Sequence, residues 1–157
     1  MPQADRDTTV RGNTADTHAT GGPDTVRVLV YSDDRTVRAA VRMALGRRPA
    51  PDLPRIEYIE CATAWAVIRR LDAGGVDLAV LDGEAVPEGG LGLCRQLKDE
   101  VFHAPPVLAL IGRPQDAWLA TWSRADAVVS HPLDPEVLAE QAALLIRGRL
   151  DAVSARS

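Results

Sequence analysis

The chain has 157 residues, 46% hydrophobic and 25% charged, with a net charge of −4 and a pI near 5.3. That length suits one domain with a proper core and is short for two, and that charge argues against a nucleic-acid binder working through a basic stripe. No run reaches the roughly 18–20 apolar residues of a bilayer span and no signal-peptide core opens the chain, so a cytoplasmic protein without membrane insertion is expected.

In chain order, residues 1–24, "MPQADRDTTVRGNTADTHATGGPD", hold almost nothing that could be buried. Such a segment is expected to be disordered alone or docked on a partner. A single domain is expected over 25–150, with 151–157 a short C-terminal tail. The first apolar run, "VRVLVY" (26–31), stops at Ser32, and Asp33 and Asp34 follow. Adjacent acids there could hold a metal, receive a chemical group, or cap the next helix. That helix places Val37, Val41, Ala44 and Leu45 on one face and Arg35, Arg38 and Arg42 on another. "RIEYIEC" (55–61) reads as a strand, and Ala64, Val67, Ile68 and Leu71 as a second helix. "VDLAVLD" (76–82) is a buried strand, followed by a helix with Leu93, Cys94 and Leu97 inward. "PVLALI" (106–111) is the fourth strand. Trp118 and Trp122, four apart on the fourth helix, are either interface anchors or a cover for the sheet, and Trp65 poses the same choice. "DAVVS" (126–130) is the fifth strand. "DPEVLAEQAALLIRGRL" (134–150) opens a last helix with Asp at the N-cap and Pro135 behind it. Cys61 and Cys94 lack neighbours at ligand spacing and are expected to be buried thiols.

Five strands alternating with five helices imply an α/β fold, a five-stranded parallel sheet covered on both faces. In such a doubly wound sheet the ligand crevice lies beyond the carboxyl ends of the strands. This selects Ser32, Asp33 and Asp34, then Asp82, Ile111 and Gly112, and Ser130 and His131. Three carboxylates converging there suit Mg²⁺, a hard cation that prefers oxygen ligands. The glycines at 83, 89, 90 and 92 fit neither a dinucleotide fingerprint nor a phosphate loop.

These pieces resemble the receiver domain of two-component response regulators over residues 26–150, with the flavodoxin-like fold of that family. "VLVYSDDRTVR" is similar to its acidic turn, written V-D-D-D-x-x-V-R. "VDLAVLDGEAVPEGGLGL" is similar to the phosphoacceptor segment, with Asp77 five residues before Asp82. "PVLALIGR" and "ADAVVSHPLDPEVL" are similar to the fourth and fifth strands. The resemblance implies that Asp82 accepts a phosphoryl group from a histidine kinase and that Asp33, with Asp34 beside it and Asp82 across from it, binds Mg²⁺. The metal would neutralise charge on the transferring group.

The departures fall at the switch positions. Ser32 stands where the first acid belongs, Ile111 replaces the hydroxyl residue after the fourth strand, and His131 replaces the lysine before Pro132. Val128 takes the aromatic position of the fifth strand, and Pro87 sits one residue late in the loop after Asp82. Each lost donor at a phosphoryl site costs a few kcal/mol. After Leu150 only "DAVSARS" remains, so no attached effector domain is expected. The expectation is an atypical single-domain response regulator, not an enzyme, acting as a phosphorylation-independent protein-interaction module with no cofactor or a weakly bound Mg²⁺. The alternative is a regulator phosphorylated at Asp82. The composition also resembles actinobacterial proteins, among them mycobacterial orphan receivers associated with the proton-pumping NADH dehydrogenase. That resemblance implies NADH-quinone oxidoreductase (respiratory complex I) as a partner, reached peripherally at the inner membrane.

Overall fold

The computed structural model describes residues 24–101 and 103–156. The N-terminal tail and its expected disorder or docking therefore lie outside the described residues, Asp24 apart.

Five strands form one parallel sheet: β1 Thr25–Tyr31, β2 Arg55–Cys61, β3 Leu78–Asp82, β4 Val107–Ile111 and β5 Ala127–Ser130, in the order β2-β1-β3-β4-β5. The continuous apolar runs of β3 and β4 are buried at every residue, because helices cover both faces. On one face, α1 (Arg35–Leu45) and α5 (Pro135–Arg156) bury Val41, Leu45, Leu138 and Ile146 against Val28, Val30, Val80 and Leu108. On the other, α2 (Ala64–Asp72) and α3 (Gly90–Glu100) bury Val67, Leu71, Leu93, Cys94 and Leu97 against Leu29, Tyr31, Ala79 and Leu81. These helix stripes are the ones the three- and four-residue spacing selects. Cys61 and Cys94 are buried free thiols, and burial pushes both upward in pKa.

Local chemistry fixes the ends. Thr63 caps α2 by accepting from the Ala66 amide, and Asp134 caps α5 by accepting from Glu136 and Val137. β3 starts at Leu78 rather than 76, because Asp77 turns aside to exchange hydrogen bonds with the Arg27 backbone. α4 (Trp118–Ser123) is short, preceded by a 3₁₀ turn at Pro114–Asp116 and ended by Arg124 at φ 66. α5 runs to Arg156, through most of the segment read as a tail, since "DAVSAR" contains neither Gly nor Pro to stop it. Trp65, Trp118 and Trp122 are all exposed, so none serves as core. Among the described residues, no helix is long and apolar enough to cross a membrane.

Candidate functional site

The chain leaves β1, crosses to β2 at the sheet edge, and returns to β3 on the other side of β1. This reversal parts the two connections at the carboxyl ends of β1 and β3 and opens a crevice there. A cavity of about 390 Å³ occupies it, lined by Asp33, Asp34, Val37, Asp82, Glu84, Val86, Gly112 and His131. The sequence-selected Asp33, Asp34, Asp82 and His131 thus share one wall-to-wall site. Ser32 and Ile111 lie buried at the ends of β1 and β4, outside the cavity lining. Val128 lies half-buried in β5, paired with Ala109. Trp118 and Trp122 on α4 are not part of the cavity.

Asp82 ends β3 and is 2% exposed. Its Oδ2 accepts from the Ser32 hydroxyl at 2.7 Å, and its Oδ1 accepts from the Glu84 amide at 2.9 Å. His131 Nε2 stands 3.7 Å from Oδ1, while its own backbone amide donates to the Ile111 carbonyl at 2.8 Å. Both oxygens of the buried carboxylate therefore already hold donors from the chain. Ser32 is fully buried and in turn accepts from the Asp34 amide at 3.0 Å.

The two acids of the opening turn divide their work. Asp34 is the N-cap of α1, its Oδ1 accepting from the Thr36 amide at 2.8 Å. Asp33 accepts from the Val86 amide at 3.0 Å and so fastens the loop after β3. The same loop is held by Tyr31, whose hydroxyl donates to the Glu88 carbonyl. Burial, then the charges of Glu88, Asp33 and Asp82, push the Tyr31 phenol above its ordinary pKa.

Several participants are not evident from the sequence pattern. Arg38 donates to the Ser32 carbonyl at 2.6 Å and to Glu60 at 3.0 Å, linking the site to β2. Its place on the polar face of α1 marked it as a surface charge. Glu84 lies across Gly112, where a Cβ would come within 2.8 Å of its carboxyl carbon. The only sequence hint of this was the acid-rich loop 82–88 itself.

The Mg²⁺ implied by the receiver resemblance finds a poor seat. Asp34 is committed to α1, Ser32 brings no charge, and Ser32 and Glu84 occupy Asp82. Among the described residues, no three His, Cys, Asp or Glu side chains stand together as a metal-holding group. The donor set does not fit a three-acid Mg²⁺ site.

No protein-family model matches the chain. It is 56% identical over 122 residues to an uncharacterized response regulatory protein of Mycobacterium tuberculosis, found in two strains, covering 78% of this chain and 92% of that protein. Among solved structures, it resembles a putative response regulator from Chloroflexus aurantiacus (TM-score 0.66, 17% identity, 78% of this chain and 98% of that one). It also resembles the receiver domain of a Francisella response regulator (TM-score 0.65, 16% identity, 78% and 97%). A CheY-like receiver protein from Methanospirillum hungatei shares the fold at TM-score 0.61 and 18% identity, over 80% and 96%. The structural neighbours give the fold and the mycobacterial relative gives the kinship: this chain belongs to the response regulator receiver family.

Proposed function

We propose that this receiver works as a phosphorylation-independent protein-interaction module rather than as an enzyme, with no cofactor or at most a weakly held Mg²⁺ at Asp33 and Asp82. The observation that carries this reading is the state of Asp82. Both its oxygens accept hydrogen bonds from the chain, and the side chain at the end of β4, where a phosphoryl contact belongs, is the buried, donor-free Ile111. A phosphoryl group arriving at Oδ1, the oxygen nearer His131, would meet the largely buried imidazole of His131 in place of an ammonium and no side-chain hydroxyl from the end of β4. Lost donors of this kind cost a few kcal/mol each in a phosphoryl site.

The partner we propose is a protein, as the kinship with response regulators supports, and NADH-quinone oxidoreductase at the inner membrane is the first candidate to test. The second reading, phosphate at Asp82 from a histidine kinase, is favoured by the open cavity and by His131 standing 3.7 Å from Oδ1.

Two measurements decide between them. Incubation with MgCl₂ and a small phosphodonor, followed by intact-protein mass spectrometry, is expected to show no phosphoryl gain. An increase that vanishes in Asp82→Asn would establish the second reading. Affinity purification of the tagged protein should recover the same partner from wild type and Asp82→Asn, and loss of the partner in the variant would sink the first.

A further inference from the structure

Three tryptophans make up half of the aromatic residues of this chain, beside two tyrosines and a single phenylalanine. All three stand in solvent on the same side of the sheet: Trp65, 67% exposed, on α2, and Trp118 and Trp122, 67% and 45% exposed, on α4 beside α3. Tryptophan carries the largest apolar surface of any side chain, and leaving it in water forgoes that burial. So many exposed rings in a chain so poor in aromatics mark a face that is covered in use.

The charges around them say what covers it. The Arg69 guanidinium lies 4.7 Å from the centre of the Trp65 ring, and that of Arg95 lies 5.0 Å from Trp122. Arg70 donates to the Gly74 carbonyl and Arg95 to the Trp122 carbonyl. Elsewhere the arginines answer acids: Arg38 and Arg42 share Glu60, Arg113 has Asp116, and Arg147 has Asp52. Among the described residues, Arg69, Arg70 and Arg95 have no carboxylate at ion-pair distance. Arg35, Arg47, Arg48, Arg55 and Arg156 share that lack, but of these eight only Arg69 and Arg95 lie over a ring, and Arg70 lines the depression beside Trp65. An arginine stacked flat on an indole keeps its N–H edge free in a fixed orientation, ready for a carboxylate. Trp65, Arg69 and Arg70, with Ala66 and Ala73 as an apolar floor, enclose a shallow depression of about 320 Å³.

We propose that the α2–α3–α4 layer, centred on Trp65, Arg69 and Arg70, is the docking surface for an acidic segment of a partner protein. The choice follows from charge: the depression at the centre is lined by Arg69 and Arg70 with no acid among its lining residues, and on a molecule of net charge −4 it is complementary to carboxylates. The proposal rests on the interaction-module reading and names the surface that module uses.

The test uses the full chain and a fluorescent dodecapeptide of alternating Glu and Leu, read by anisotropy at low salt. Saturable binding is expected, weakened about tenfold by Trp65→Ala and by Arg69→Gln with Arg70→Gln. Thermal melts unchanged in these surface variants exclude misfolding. Peptide binding that the variants leave intact overturns the proposal. So does Trp65-dependent sedimentation with phosphatidylglycerol vesicles without peptide binding, or Trp65-dependent self-association in light scattering. Asp82→Asn separates the two claims: it should leave peptide binding unchanged. If the wild type binds only after treatment with MgCl₂ and a phosphodonor, and Asp82→Asn never does, the phosphorylation-independent reading falls while the surface stands; if the arginine variants have no effect, the surface falls and the reading stands.

Discussion

Ser32 is the residue on which the chemistry of the crevice turns. A family acid at this position would place a second negative charge against Asp82 in a buried pocket. The serine hydroxyl instead donates a hydrogen bond to the buried carboxylate and adds no negative charge beside it. Ser32→Asp is therefore expected to lower unfolding stability by about 2 kcal/mol or more in EDTA. MgCl₂ should restore part of the loss by binding between positions 32, 33 and 82. Urea denaturation with and without Mg²⁺ reads both effects, and equal stability of variant and wild type in EDTA would contradict the account. The sequence made this substitution visible only against a family pattern. The residue itself does not announce that its hydroxyl points at Asp82 rather than at solvent. Arg38 and Glu84 were illegible for a similar reason. Long flexible side chains choose partners across the sheet, and no local period records which one.

Elements were more legible than contacts. Apolar runs of β1, β3 and β4 and the inward stripes of α1, α2 and α3 are set by periodicity, which the sequence displays directly. β3 begins later than its apolar run because Asp77 is diverted by Arg27, and α5 continues past Leu150 into the expected tail because nothing in "DAVSAR" breaks a helix. Two element ends invite measurement. Asp34, one of the pair that could have been a metal ligand, holds the first turn of α1. Asp34→Ala should cost about 1 kcal/mol, while Asp34→Asn, still a good cap, should cost much less. Comparable losses for both in urea titrations would assign Asp34 a charge-dependent role instead. Gly90 opens α3 directly against β3, where a Cβ would meet the Asp82 carbonyl oxygen at 2.7 Å and the Leu81 carbonyl carbon at 2.8 Å. Those neighbours are backbone and cannot swing away, so α3 must retreat. Gly90→Ala is expected to cost about 1–3 kcal/mol and to shift the amide resonances of 82–86 in a two-dimensional NMR spectrum.

At the scale of the whole molecule, one sheet separates two apolar layers that share few side chains, and both must be intact. Leu108 is fully buried in the layer under α1 and α5, and Leu108→Ala should cost about 2–5 kcal/mol by chemical denaturation. Stability should also fall in alkali. Tyr58 is pushed up to about 12, chiefly by burial, with Arg42 pulling the other way. Its ordinary value is 10.0, so between these values the folded chain keeps a proton that the unfolded chain has lost. The contribution is complete below pH 10 and declines as pH climbs toward 12. Tyr31 acts in the same direction. Tyr58→Phe should flatten the slope of denaturation midpoint against pH across that window; an unchanged slope would rule Tyr58 out as its source.

The loop after β3 is sewn to β1 by two stitches, Val86 to Asp33 and Glu88 to Tyr31. A strap anchored in this way has no slack of its own. Through Arg38, which bonds both the Ser32 carbonyl and Glu60, the same tie continues to the β2 edge of the sheet, while His131 brings the end of β5 to within 3.7 Å of Asp82. The crevice is therefore braced from both sides of the sheet, by the β1–β2 edge through Arg38 and Glu60 and by the end of β5 through His131.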